Sequence, residues 1–380
     1  MPRAPIDSFP PFHELEPVIW PGFALLLFVL SGVITDVIIL LATRLRLVDL
    51  PNRRSAHSLP TARGGGLAII TTTVIATVTV TLRWPAIAPL LLVGTLLPCL
   101  VIGICGIIDD VRPLNAILRL ALQIGAAIAI TIALGPLRSI EVPGIFRLEI
   151  GPAAIPLTIL WIVGLTNAFN FMDGIDGMAA TAAVVGGLSS ALFGLWLWSP
   201  LPMLLGAFVS AAAAGFLVFN WQPARIFMGD AGSGFLGIWF AALPLLFPEH
   251  LRGVVIVSMA AALWPYIYDP FLSVLRRLFG GHNPLKPHRE FLFHRLVRSG
   301  WSHAATTILY AVLAILGMIS ALGTLDDRLG LPLRMALSVV PALLAIALTL
   351  GVEWHCARRH LAPTGSSAFN PIDTSVGSGG

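Results

Sequence analysis

The chain has 380 residues, of which 57% are hydrophobic and only 11% charged. A soluble domain carries about 25% charged and about 45–50% apolar residues, so a soluble fold is excluded and a polytopic membrane protein is indicated. The 23 Lys and Arg exceed the 19 Asp and Glu by a net +4, but the cations fall in loops between apolar runs, where they set orientation in a bilayer and make no nucleic-acid face.

A membrane-crossing helix needs about 20 mostly apolar residues. Runs near that length lie at 21–43, 66–82, 88–108, 117–135, 153–169, 178–197, 200–219, 231–248, 251–275, 304–322 and 333–351. They predict an all-α bundle of about eleven transmembrane helices. Asp7, Glu14 and Glu16 precede the first run against a single Arg3, unlike the basic start of a cleaved leader, so this run is expected to be kept as a span. Arg44, Arg46, Arg53, Arg54 and Arg63 follow the first run, and Arg276, Arg277, Lys286, Arg289, Arg295 and Arg298 follow the ninth. The positive-inside rule assigns both loops to the cytoplasm, and alternation then places the amino terminus outside and the carboxyl terminus inside. Residues 1–362 read as one membrane domain, and 363–380, rich in Gly, Ser and Thr, as a disordered tail. Cys99, Cys105 and Cys356 have neither disulfide nor metal-ligand spacing.

Aspartates beside these runs need a reason, since Asp at the centre of a membrane helix costs roughly 2.5–3.5 kcal/mol on insertion scales. Asp109 and Asp110 close the third run, Asp173 and Asp176 follow the fifth, and Asp230 opens the eighth. Alternation puts all five at the cytoplasmic face, where they can form one site. On a helix, Asn167, Asn170, Asp173 and Asp176 would share one polar stripe, whereas the adjacent Asp109 and Asp110 must find separate partners. Such an oxygen-rich set suits magnesium, with manganese as a substitute, because magnesium binds through one or two carboxylates plus substrate phosphates. Asp36 and Asp269, inside the first and ninth runs, read as structural acids, with Asp269 expected to pair with Arg276 or Arg277.

Two further segments fit an anionic substrate. Arg63-Gly64-Gly65-Gly66 opens the second run, and backbone amides at such a helix start can cradle an anion, although the glycines equally permit close helix packing. Lys286-Pro287-His288-Arg289-Glu290-Phe291-Leu292-Phe293-His294-Arg295 offers cations that grip a diphosphate, or that rest on anionic headgroups.

Asp109-Asp110, Asn170-Phe-Met-Asp173-Gly-Ile-Asp176-Gly, Phe227-Met-Gly-Asp-Ala-Gly-Ser233 and Gly300-Trp-Ser-His303 resemble the polyprenyl-phosphate N-acetylhexosamine-1-phosphate transferases of bacteria, the superfamily of glycosyltransferase family 4. Asp49-Leu-Pro-Asn-Arg-Arg-Ser-Ala-His57, with Arg63-Gly-Gly-Gly66 after it, resembles that family's first cytoplasmic loop. The resemblance spans Asp49 to His303. It implies an inner-membrane enzyme that moves a hexosamine phosphate from a UDP-N-acetylhexosamine to undecaprenyl phosphate and releases UMP, initiating a lipid-linked surface glycan such as O-antigen or cell-wall polysaccharide. It implies Asp230 as a magnesium ligand with Asn170 beside it, and Asp109 or Asp110 as proton acceptor or metal holder. Asp173 and Asp176 would position donor and metal, and Arg53, His57, Arg63, Gly65, His288, Arg289, His294 and Arg295 would contact substrate.

The last loop departs from the family. Many relatives carry His-x-His-His, where this chain has Phe291-Leu292-Phe293-His294. A second branch resembles His-Arg-x-His-x-Tyr-Gln-Arg; there His288, Arg289 and Arg295 match, Phe293 keeps the aromatic, and Phe291 and His294 differ. The donor sugar is therefore left open, as is a homodimer. The rival reading is a secondary transporter using intramembrane carboxylates, against which stand the one-sided placement of the acids and the lack of an internal repeat.

Overall fold

The computed structural model describes residues 19–44, 48–49, 61–281 and 290–359. The chain folds as a helical membrane bundle, in the order α1 (Ile19–Arg44), α2 (Gly66–Arg83), α3 (Leu97–Val111), α4 (Ala116–Leu134), α5 (Ala154–Met172), α6 (Met178–Trp196), α7 (Pro200–Asn220), α8 (Gly229–Ala242), α9 (Glu249–Ala262), α10 (Trp264–Phe279), α11 (Leu292–Arg298), α12 (His303–Leu325), α13 (Leu331–Ser338) and α14 (Val340–Arg358). Ten described helical segments are long and apolar enough to cross a membrane, or eleven when the bent pair α9 and α10 is taken as one span. That pair is the expected ninth run. It is not one straight helix but turns by 78°, because Leu263 leaves helical geometry and Pro265, lacking an N–H, follows as the second residue of α10.

Two small hairpins are the strands among the described residues. β1 (Val48–Asp49) pairs with β2 (Thr61–Ala62), and β3 (Ser139–Val142) pairs antiparallel with β4 (Phe146–Glu149). The Phe227 N–H donates to the Ala62 carbonyl at 2.9 Å, which ties the first loop to the connection between α7 and α8.

Helix α8 is the centre of the bundle. With its short extension to Leu246 it is 94% buried, against 17% for the most hydrophobic stretches of α1 and of α13 with α14, which face outward. A helix apolar all round belongs in such a core. Small residues let neighbours reach its backbone: a Cβ on Gly66 would lie 2.3 Å from the Gly232 Cα, so α2 and α8 meet in backbone contact.

The directions of the helices gather one set of termini. The starts of α2, α4, α6, α8 and α12 and the ends of α3, α5, α7 and α10 lie at the same end of the bundle. Helix α1 begins at the other end, where Trp20 packs on Trp84 beyond the last residue of α2, and α14 ends at the aspartate end, where Glu353 pairs with Arg276 and Arg295. The described chain therefore begins and ends at opposite ends of the bundle. The stretch 363–380 lies outside the described residues.

Candidate active site

Asp109 and Asp110 sit in the last turn of α3 and, being neighbours on a helix, face different partners. Asp109 faces α4: its Oδ1 accepts the Leu114 N–H at 2.5 Å and its Oδ2 accepts from the Arg119 guanidinium at 2.7 Å. Asp110 faces α8 and accepts the backbone N–H groups of Asp230 (3.2 Å) and Ala231 (3.4 Å). These are otherwise unsatisfied donors of the first helical turn, so a carboxylate there caps the helix and meets its positive end. Gly229 makes the approach possible. Its φ is +79°, and a Cβ would stand 2.6 Å from Asp110 Oδ2.

Asp230 lies between these groups. Its Oδ1 accepts from Asn170 Nδ2 at 3.1 Å, and the same amide group reaches Ser233 Oγ at 3.1 Å. Its Oδ2 is 3.7 Å from Arg119, the same guanidinium that holds Asp109 at 2.7 Å.

Asp173 completes the group from the loop after α5. Burial, then the negative charges of Asp230 and Asp110, push its carboxyl up to about 7, against the pull of the Gly229 N–H and Arg63. Four acids, Asp109, Asp110, Asp173 and Asp230, are thus gathered with two bases, Arg63 and Arg119, so the group has two more negative than positive side chains at full ionisation.

Several expectations need correction. The stripe does not continue to Asp176: α5 stops at Met172, and Gly177 at φ +76° turns the chain into α6. Asn167 instead pairs with Gln123 on α4 (2.7 Å). Asp176 turns away from the other acids. Its Oδ2 accepts the Ala224 N–H at 3.2 Å, His303 Nδ1 lies 3.3 Å from its Oδ1, and its carbonyl accepts from Thr307 Oγ1 at 3.0 Å. It fastens the loop to α12 and to the connection before α8.

Gly65 and Gly66 form no anion cradle, because their amides donate to the carbonyls of Phe227 and Met228 at 3.0 and 2.9 Å. Gly65 serves close packing, since a Cβ there would stand 2.3 Å from the Phe216 ring. Arg295 is buried and pairs with Glu353 on α14 at 2.5 Å, which places its charge in the fold. The expected pairing of Asp269 with Arg276 or Arg277 is not a direct salt bridge, although the Arg276 charge acts on Asp269 at longer range. Those arginines hold Glu353 and Glu290, and Asp269 accepts from two backbone amides and a tyrosine. Asp36 pairs with Arg225 at 3.3 Å, in keeping with a structural acid.

His294 packs against the 173–177 loop, its Nε2 standing 3.2 Å from the position a Cβ on Gly174 would take. Arg53, His57, His288 and Arg289 lie outside the described residues. Arg119 was not expected in the site, yet it joins Asp109 to Asp230. Its signal in the sequence is that it is the sole charged residue of the fourth apolar run.

No three of His, Cys, Asp or Glu among the described residues are spaced to enclose a metal by themselves. The oxygen donors nevertheless fit magnesium, which needs only one or two carboxylates when substrate phosphates supply the rest. The surplus of two negative side chains over the two arginines is compatible with a cation there.

A multi-pass helical bundle with an acidic, arginine-bridged cluster at one end defines a membrane protein with a polar site built for charged chemistry. Glycosyl transferase family 4 matches residues 92–247, a stretch holding Asp109, Asp110, Arg119, Asn170, Asp173 and Asp230. The chain is 33% identical over 292 residues to the probable undecaprenyl-phosphate N-acetylglucosaminyl 1-phosphate transferase of Bacillus subtilis, covering 76% of this chain and 80% of the relative. It is 30% identical to the decaprenyl-phosphate N-acetylglucosaminephosphotransferase of Mycolicibacterium smegmatis, over 82% of this chain and 83% of the relative. A phospho-N-acetylmuramoyl-pentapeptide-transferase of Synechococcus is 36% identical over 52% of this chain and 59% of its own length. The chain belongs to glycosyl transferase family 4, within the superfamily of polyprenyl-phosphate N-acetylhexosamine-1-phosphate transferases.

Proposed function

We propose that the protein transfers a hexosamine phosphate from a UDP-N-acetylhexosamine to undecaprenyl phosphate, releasing UMP, at the cytoplasmic face of a bacterial inner membrane. The observation that carries this reading is the gathering of Asp109, Asp110, Asp173 and Asp230 with Arg63 and Arg119 at one end of the bundle, in a chain whose relatives are named for polyprenyl-phosphate sugar-phosphate transfer. The names of the two relatives that span most of the chain favour N-acetylglucosamine as the sugar. Arg44 at the end of α1, Arg63 before α2, and Arg276 and Arg277 at the end of α10 lie at the same end as the acids and support the cytoplasmic assignment.

A phosphate on a membrane lipid and a diphosphate donor bring several negative charges to a site that is itself acidic. Magnesium, when bound, would neutralise charge on the donor diphosphate and on departing UMP. Asp230 would hold it, with Asn170 orienting Asp230 and Asp109 supplying a neighbouring oxygen. Asp110 is committed to the first amides of α8 and keeps Asp230 in place. Arg119 and Arg63 are positioned to meet phosphate oxygens. Asp173, with a proton affinity near 7, suits removal of a proton from the acceptor phosphate, whose second ionisation lies at about 6.

The test is release of UMP by the purified protein supplied with undecaprenyl phosphate, magnesium and each of a panel of UDP-hexosamines. Release with one donor, dependent on the lipid, is expected. Silence across the whole panel in a folded, monodisperse preparation would reject the transferase reading.

A further inference from the structure

The acid that this chemistry leaves unused is Asp269. It is fully buried in α10, one residue before Pro270. Its Oδ1 accepts the Leu292 N–H at 2.7 Å, and its Oδ2 accepts the Phe293 N–H at 3.1 Å and the Tyr310 hydroxyl at 2.7 Å. Leu292 and Phe293 are the first two residues of α11, and Phe291 before them has no side-chain group to cap the helix. A carboxylate from another helix therefore supplies the cap that the local sequence lacks.

α11 has only seven residues, too few to hold helical form without tertiary support. Its second and third residues touch the site. A Cβ on Gly174 would stand 3.0 Å from the Phe293 ring and 3.2 Å from His294 Nε2, so both rings press on the loop that carries Asp173. Phe293 and His294 also pack on each other with ring centres 4.0 Å apart. A continuous path of contacts runs from Tyr310 and Asp269 through the start of α11 to the loop beside Asp173.

We propose that Asp269, with Tyr310, is a positioning residue: it fixes the start of α11, so that Phe293 and His294 hold the 173–177 loop and Asp173 at its place in the site. The anchoring stands on the contacts alone, and its consequence for turnover rests on the transferase reading above.

Two measurements on the full-length protein test it. The first is hydrogen exchange at Leu292 to Leu296 in wild type, Asp269→Asn and Tyr310→Phe. Asn keeps one oxygen acceptor, and Phe removes only the hydroxyl, so both are mild enough to fold where Asp269→Ala could fail. Exchange in α11 should quicken by about tenfold or more in Asp269→Asn and by less in Tyr310→Phe, with α6 unchanged. Unchanged exchange in α11 overturns the anchor.

The second is a double-mutant cycle between Asp269→Asn and His294→Ala, read as UMP release. A misplacement of about 1 Å can cost about 100-fold in rate, so a loss of tenfold or more in kcat is expected from Asp269→Asn. The double variant should lose no more than His294→Ala alone, because both changes act on one contact path. Additive losses overturn positioning through His294. If wild-type protein releases no UMP with any donor, the transferase reading fails, and the exchange measurement still decides whether Asp269 anchors α11.

Discussion

Asp110 accepts the backbone N–H of Asp230 at 3.2 Å, so one acid of the site holds the main chain of another. The consequence is mechanical as well as electrostatic. Asp110 satisfies donors at the start of α8, the most buried helix of the bundle, and thereby sets where the Asp230 carboxyl points. Asp109, the preceding residue, is turned by the helix toward Arg119, whose guanidinium also approaches Asp230.

Replacing each of Asp109, Asp173 and Asp230 by Asn should lower kcat by on the order of 100-fold or more, since each removes a charge or a proton site at the reacting groups, and Asp110→Asn should lose comparable rate by loosening the start of α8 that places Asp230. Asp176→Asn should behave differently. That residue secures a loop and touches none of the other four acids, so the expected loss is in thermal stability, with a rate loss smaller than theirs. Purified variants checked for monodispersity and assayed for UMP release decide the matter. Asp176→Asn losing as much rate as Asp230→Asn with an unchanged melting temperature would return Asp176 to the catalytic set.

Arg119 bridges Asp109 at 2.7 Å and Asp230 at 3.7 Å. Arg119→Ala should leave the two acids without their shared cation, and a loss of roughly tenfold to 100-fold in kcat/KM is expected. Arg119→Lys keeps the charge but not the planar fork, so it should recover only part of that loss. Full activity in Arg119→Ala would remove this residue from the site.

The membrane bundle was legible because apolar length is nearly sufficient to identify a crossing helix. The bend between α9 and α10 was not, since it depends on how Leu263 and Pro265 break a run that stays apolar throughout. Asp109, Asp110 and Asp230 could be read as partners because topology alone brings a helix end and a helix start to one face. Asp176 misled for a physical reason: helical spacing extrapolates only while the helix lasts, and the glycines at 174 and 177 end it. Gly65 and Gly66 were legible as a feature but not as a role. Free amides at a helix start and amides bonded to Phe227 and Met228 look the same in sequence.

The Asp173 carboxyl, pushed up to about 7 by burial and by Asp230 and Asp110, sets the pH dependence. The sign follows from its ordinary value of about 3.9. The folded protein holds this proton more tightly than the unfolded chain, so the residue costs increasing stability as pH rises from about 4 to about 7, and a constant amount above. Turnover needs the unprotonated form, so kcat/KM at low magnesium should rise with pH through about 7 and then level. A bound divalent cation favours the ionised acid, so added magnesium should shift that limb to lower pH, and thorough chelation should abolish turnover. The residual activity of Asp173→Asn should lack the limb. A limb that survives in Asp173→Asn, or full turnover after chelation, would refute the assignment.

Orientation can be decided with single cysteines, since Cys99, Cys105 and Cys356 are all buried. The most useful positions are exposed ones on opposite ends of the bundle: Arg298 at the end of α11, near the aspartates, and Asp327 in the turn after α12. If the aspartate end faces the cytoplasm, as the Arg-rich loops require, a membrane-impermeant thiol reagent should label Asp327→Cys in intact cells. It should reach Arg298→Cys only after the membrane is opened. The opposite pattern would put the acids on the outer face, out of reach of a cytoplasmic UDP-sugar, and the proposed reaction could not take place there.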